Sequence, residues 1–372
     1  MVVGLSHNSR GLVNLVGEIE SRMTGSSPGS PLDAETSRLI PEGRTYVLVM
    51  FDGLGVAQLG HDAARPLHGS HQATLLAPFP TTTSVSLATL ATGLMPSRHG
   101  LVSHLTWLEE AGRVVNTLKW VDLSGKPVVL DYASFLPGPN LWERLRLGGI
   151  EPITVQPSPF TESPLSRLLY RGARFESAWD EHDLVDATVQ LASAPNRFIF
   201  TYVWQVDFAG HVSGLGSDEF TAAIQLASDV WQALAARLPP EVTLIGTADH
   251  GLIEYDEMDK ILVRGEPFDS LRFAGDPRGV HIWGDSSVFD ELAELTGGRL
   301  VDPLAQLGPD PIAEAKRRVG DALLIAPDQK VILPPGFDKR LRSYHGGFAP
   351  AEIEVPLLVA GEATGLAPIH SG

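Results

Sequence analysis

Cysteine is absent from all 372 residues, so a disulfide framework, a thiol nucleophile and thiolate-ligated zinc are all closed to this chain. Basic residues are scarce. Against 45 Asp and Glu stand only 28 Lys and Arg, and the formal charge of −17 disfavours polymeric nucleic acid and anionic membranes, which both reward basic patches. A small-molecule partner is expected instead. No apolar run is long enough to span a bilayer. The opening MVVGLSHNSRGLVNLV lacks the basic start, long apolar stretch and cleavage site of a secretory signal, so a soluble, cytoplasmic protein is expected. Oligomeric state stays open.

What the chain does have is a set of short apolar runs, each ending near an aspartate. Tyr46–Phe51, Phe198–Trp204 and Val242–Gly246 read as strands buried on both faces, followed by Asp52, Asp207 and Asp249. Helices lie between them. Ser217 caps a segment whose Phe220, Ile224, Ala227, Val230, Trp231 and Leu234 keep helical spacing. Asn140 opens LWERLRL, and Ser163-Pro164 opens a third helix. This is an α/β pattern: a doubly wound, mostly parallel sheet flanked by helices, with ligands expected at the C-terminal strand ends.

Five pieces carry candidate chemistry: FDG at Asp52, PTTTS around Thr83, DFAGH with Asp207 and His211, ADHG with Asp249 and His250, and YHGG at His345. Three Asp, three His and one Thr suit divalent zinc and also accept manganese or iron. Taken singly each piece is weak, since a D-x-x-x-H pair is more often a surface carboxylate and a satisfied histidine. Their joint order carries the weight. Helical spacing after Thr83 places its hydroxyl at a helix N-terminus, where open N–H groups favour an anion such as phosphate. A threonine hydroxyl needs a base or a metal to become a nucleophile, and the Asp/His set meets that need. His61, His68 and His71 sit in a polar loop with no matching carboxylates and receive no role.

From about Tyr46 to Ala360 these motifs resemble the alkaline phosphatase superfamily, most closely its type I phosphodiesterase/nucleotide pyrophosphatase branch. The stretch Ala91 to Val102, ATGLMPSRHGLV, adds to the likeness. The resemblance implies two divalent ions, expected to be zinc: one on Asp207, His211 and His345, the other on Asp52, Thr83, Asp249 and His250. It also implies that Thr83 attacks a small phosphate ester and forms a covalent phosphoenzyme. An N-terminal arm (1–44), a catalytic unit (45–267 and 329–372) and an inserted α+β cap (268–328) are expected. Two departures stand out. Ser84-Val85-Ser86 replaces the family's Phe-Pro-Asn, and by spacing His104 falls where an asparagine holds a phosphate oxygen, making His104 a substrate-binding candidate. A phosphomonoesterase, or a catalytically silent metal-binding homologue, is the alternative.

Overall fold

Five parallel strands lie side by side, in the order Val242–Thr247, Thr45–Phe51, Arg197–Val203, Glu151–Pro157 and Arg174–Ala178, the first four largely buried and the last a mostly exposed edge. The structure is a computed structural model and describes residues 9–360, so residues 1–8 and 361–372 of the expected arm and catalytic unit lie outside the described residues. Glu354–Val359 continues this sheet antiparallel to Val242–Thr247, and His71–Leu76 forms the edge beyond it. All seven residues of Thr45–Phe51 are buried, which is why that strand shows no alternation in sequence.

Helices cover both faces. Asp218–Arg237 begins where the Ser217 side chain accepts from the Phe220 amide, and it buries the apolar stripe read from the sequence. Leu141–Leu147 opens with a capping box between Asn140 and Glu143. Leu12–Thr24, within the segment expected as an arm, is a helix that buries Leu12, Leu15, Val16 and Ile19 in the main core. No helix among the described residues is long and apolar enough to cross a membrane.

A second seven-stranded sheet lies beyond the C-terminal strand ends. Four of its strands, Arg272–Asp276, Gly279–Trp283, Arg299–Val301 and Ala322–Ile325, come from residues 268–328. The other three, Leu105–Leu108, Arg113–Asn116 and Val121–Asp122, come from the chain just after the PTTTS helix. The two groups meet through the pairing of Gly275 with Leu105.

Candidate metal centre and nucleophile

Three adjacent strands of the main sheet deliver the three aspartates. Asp52 directly follows the central strand, and its amide donates to the Val203 carbonyl of one neighbour at 2.8 Å. Asp249 follows the other neighbour, with Oδ1 accepting from the amides of Gly53 and His250 at 3.1 Å each. Asp207 lies in the first turn of the helix Gln205–Ser213, and its amide donates to the Asp52 carbonyl at 3.0 Å. The helix spacing therefore sets His211 one turn beyond Asp207 on the same face. Gly53 has φ +75, and a Cβ there would stand 2.9 Å from Asp207, so the turn accepts no side chain.

Thr83 is the first residue of the helix Thr83–Thr92, whose cap residue Thr82 makes no side-chain bond to the first turn; the Val85 and Ser86 amides donate to the Thr82 carbonyl, leaving those of Thr83 and Ser84 open to an anion. Its hydroxyl lies 3.4 Å from Asp52 Oδ1 and 3.1 Å from His250 Nε2. On the other side, His211 Nε2 is 3.2 Å from Asp207 Oδ1 and 3.2 Å from His345 Nε2, with His345 Nε2 3.9 Å from Asp207. The His250 and His345 rings stack at 3.7 Å and join the two groups. All seven residues read from the sequence thus meet in one place.

The hydrogen bonds fix the protons of the three histidines. His211 Nδ1 faces the Ser343 carbonyl at 2.7 Å, His345 Nδ1 the Thr81 carbonyl at 2.7 Å, and His250 Nδ1 the Gly251 carbonyl at 3.2 Å. A carbonyl only accepts, so each Nδ1 carries the proton and each Nε2 turns a lone pair inward. Two such lone pairs 3.2 Å apart repel unless a cation lies between them. The carboxylates say the same: Asp207 Oδ1 and Asp249 Oδ2 are buried without a hydrogen-bond partner among the described residues. Burial, Asp249 and Asp207 push Asp52 well above the usual carboxylate range, and burial with His250 and His211 holds His345 well below the usual imidazole value. Donor atoms of Asp52, Asp249 and His250 lie within 4.8 Å of one another, as do those of Asp207, His250 and His345. This donor set fits divalent metal.

Several surrounding residues escaped the sequence reading. Tyr202 donates a hydrogen bond to Asp52 Oδ2 from inside an apolar strand, where nothing in the pattern marks it. Thr81, in the same PTTTS run as Thr83, holds the His345 loop through its carbonyl and through its hydroxyl, which accepts from Gly346 and donates to Gly347. Gly346 has φ +113, and a Cβ there would stand 2.5 Å from Asp276, so the glycine beside His345 serves close approach. Glu352 accepts from the amides of Gly347 and Ala349 and pairs with buried Arg278. His104 is half-buried beside Asp276, whose carboxylate accepts from its amide at 3.3 Å, and it lies close enough to His211 and His345 for their charges to act on one another.

Ser84 is fully buried with its hydroxyl 2.8 Å from Thr117, so it adds no surface beside Thr83. Aromatic surface lies instead around Tyr202, whose hydroxyl meets Asp52. A cavity of about 460 Å³ is lined by Phe160, Trp179, Tyr202, Trp204 and Phe208, with Trp179 and Phe208 exposed.

In fold the chain is similar to murine ectonucleotide pyrophosphatase/phosphodiesterase 5, at a TM-score of 0.65 and 18% identity over 84% of this chain and 87% of that one. An inactive form of the murine protein in complex with AMP superposes at 0.64 with 17% identity over the same shares, 84% and 87%. Phosphonoacetate hydrolase from Sinorhizobium meliloti, solved with phosphonoformate, gives 0.63 at 18% identity, covering 88% of this chain and 92% of that one. No curated protein matches the chain by sequence. The sequence pattern of type I phosphodiesterase/nucleotide pyrophosphatase matches residues 47–317, more than half of the chain, and the protein belongs to that family of phosphoric ester hydrolases.

Proposed function

We propose that the protein hydrolyses small phosphodiesters or pyrophosphates at a centre of two divalent ions, expected to be zinc, with Thr83 as nucleophile. The observation that carries this reading is the convergence of three inward Nε2 lone pairs and three carboxylates on one centre, with the Thr83 hydroxyl against Asp52 and His250 of that set. Asp52, Asp249, His250 and Thr83 would hold one ion, and Asp207, His211 and His345 the other. The bound ions supply Lewis acidity, which lowers the pKa of hydroxyl groups and neutralises phosphoryl charge.

The chain's own residues do the rest. Thr83 Oγ1 loses its proton with Asp52 and His250 beside it, then attacks phosphorus as the bond to the leaving oxygen breaks. The leaving oxygen takes up a proton. Water then attacks the phosphothreonine, its hydroxide staying on phosphorus and its proton restoring the threonine. Open amides of the first helical turn and the His104 ring face the phosphoryl oxygens. The aromatic cavity accepts one ester substituent, and a nucleotide-like group is a candidate because a murine neighbour of the same fold was solved in complex with AMP.

The test compares a nitrophenyl phosphodiester with the matching monoester on protein stripped of metal and reconstituted with zinc or manganese. The diester should be favoured by more than about tenfold, roughly 1.4 kcal/mol in transition-state binding. Thr83→Ala should keep its bound metal and lose turnover by about a thousandfold or more. Unchanged turnover in that variant would remove Thr83 from the chemistry.

A further inference from the structure

His104 differs from the three inward-facing histidines in which of its nitrogens is engaged. Its Nε2 lies 3.1 Å from Asn116 Nδ2. Asn116 sits on the neighbouring antiparallel strand of the second sheet, where it pairs with Leu105. The orientation of its amide follows from its other contacts: the backbone amides of Leu118 and Lys119 both donate to Oδ1, at 3.1 Å each. A nitrogen at that position would face two donors, so the atom next to His104 is the NH₂ group. An amide NH₂ only donates. His104 Nε2 is therefore the acceptor, and the ring's single proton sits on Nδ1. No hydrogen bond among the described residues takes that Nδ1–H.

The same turn is joined to the nucleophile helix. The Thr117 hydroxyl lies 2.8 Å from Ser84 Oγ and 3.0 Å from the His104 carbonyl, and the Thr117 amide donates to that carbonyl at 2.9 Å. His104, Asn116 and Thr83 thus share one rigid unit, although they sit on a strand-leading loop, a strand end and a helix start.

We propose that Asn116 is a positioning residue that locks His104 in its Nδ1–H tautomer, so that His104 gives the substrate phosphoryl group a neutral donor and favours singly charged diesters over doubly charged monoesters. The inference rests on the phosphoester reading of the centre. A monoester dianion gains from added positive charge, whereas a ring whose Nε2 accepts from an amide supplies one hydrogen bond and no charge. Desolvation, with the neighbouring His211, lowers the His104 pKa to about 4. Burial does not choose between the tautomers. Asn116 does.

The experiment is a double-mutant comparison on the metal-reconstituted protein. Asn116→Ala is made in the natural chain and in His104→Asn, whose amide donor has no tautomer to set, and kcat and KM are measured for nitrophenyl diester and monoester. Asn116→Ala should lower diester kcat/KM about tenfold in the natural chain, the scale of one hydrogen bond to a charged group, and change it less than about twofold in His104→Asn. The diester-to-monoester ratio should fall in the first background alone. Equal losses in both backgrounds would make Asn116 a general structural residue and overturn the proposal.

A second readout needs neither turnover nor an Asn116 variant. Side-chain ¹⁵N spectra of the natural protein, with His104 assigned by the signal lost in His104→Asn, should show a protonated Nδ1 and a bare Nε2. The opposite pattern overturns the proposal. Failure of the hydrolase reading itself would appear separately, as unchanged turnover in Thr83→Ala with the His104 spectrum as stated.

Discussion

The two halves of the centre are built by different means. Asp52, Asp249 and His250 hang from adjacent parallel strands and are almost wholly buried, at 7%, 0% and 0% side-chain exposure. Asp207, His211 and His345 come from a helix and from a loop over 130 residues further on, and remain 16%, 17% and 13% exposed. Sheet hydrogen bonding fixes the first set, because a strand end moves only with its ladder. The second set depends on single hydrogen bonds from Nδ1 to the Ser343 and Thr81 carbonyls, and on whatever holds that loop. The strand-borne half is thus pre-formed, and the half made of helix and loop has to be clamped.

The largest expected effect separates metal binding from folding in the strand-borne half. Asp249→Asn keeps an oxygen for the Gly53 and His250 amides but replaces the unpartnered Oδ2 with an NH₂ group. Metal stoichiometry should fall and turnover drop by about a thousandfold, measured by elemental analysis and diester hydrolysis. Without metal, the same variant should be more stable than the natural chain. The reason lies in the linkage. Burial and its acidic neighbours raise the folded Asp52 pKa above its unfolded value, so the folded state holds a proton that the unfolded chain releases. Stability of the metal-free protein should therefore fall as pH rises above the ordinary carboxylate range toward that raised value. Asp249→Asn removes a principal neighbour and should flatten the slope in thermal melts. Identical slopes would mean that Asp249 does not set the carboxyl's proton affinity.

His345→Ala breaks the other half and should cost less, about a hundredfold in turnover, with one ion retained. A variant that loses both ions would show that the stacked His250 and His345 rings bind metal as one unit.

How much of this could be read beforehand follows the same division. Runs such as YVLVMF are visible because both faces are buried, and the aspartates are visible because they follow the runs. Asn140, Ser163 and Ser217 could be read as caps because capping is settled within four residues. The partners that hold the centre were not legible, because they depend on register and distance. Tyr202 differs from its strand neighbours only in having a phenol aimed at Asp52. Asn116 reaches His104 through antiparallel pairing, and Arg278 reaches Glu352 across 74 residues. The strand pairing between Gly275 and Leu105 likewise follows from tertiary packing, whereas the helix Leu12–Thr24 was legible in the helical spacing of Leu12, Leu15, Val16 and Ile19 and was missed.

The clamp on the loop can be tested directly. Glu352 is 0% and Arg278 1% exposed, and the Glu352 carboxylate also takes the Gly347 and Ala349 amides. Glu352→Gln should destabilise the fold by about 3 kcal/mol, because it removes the buried partner of the guanidinium and leaves only the exposed Asp328, 3.7 Å away, to face its charge. Denaturant unfolding measures that loss. Of the two ions, the one beside His345 should weaken and the one beside Asp249 should hold. Equal weakening would show that the halves are not separately supported.

The smallest effect is expected at Tyr202, whose phenol reaches Asp52 from inside the sheet. Burial and Asp52 raise its pKa well above the ordinary phenol value, so it stays a donor throughout the working range. Tyr202→Phe keeps the ring that lines the aromatic cavity and deletes only the hydroxyl. If the strand-borne half is fixed by its backbone ladder, losing this one outer hydrogen bond should weaken metal binding there by about tenfold and leave the His345 side unchanged. Metal titration of the variant measures both. A loss as large as that of Asp249→Asn would mean that Asp52 is aimed by the phenol rather than by its strand, and the contrast between a pre-formed and a clamped half would give way to two clamped ones.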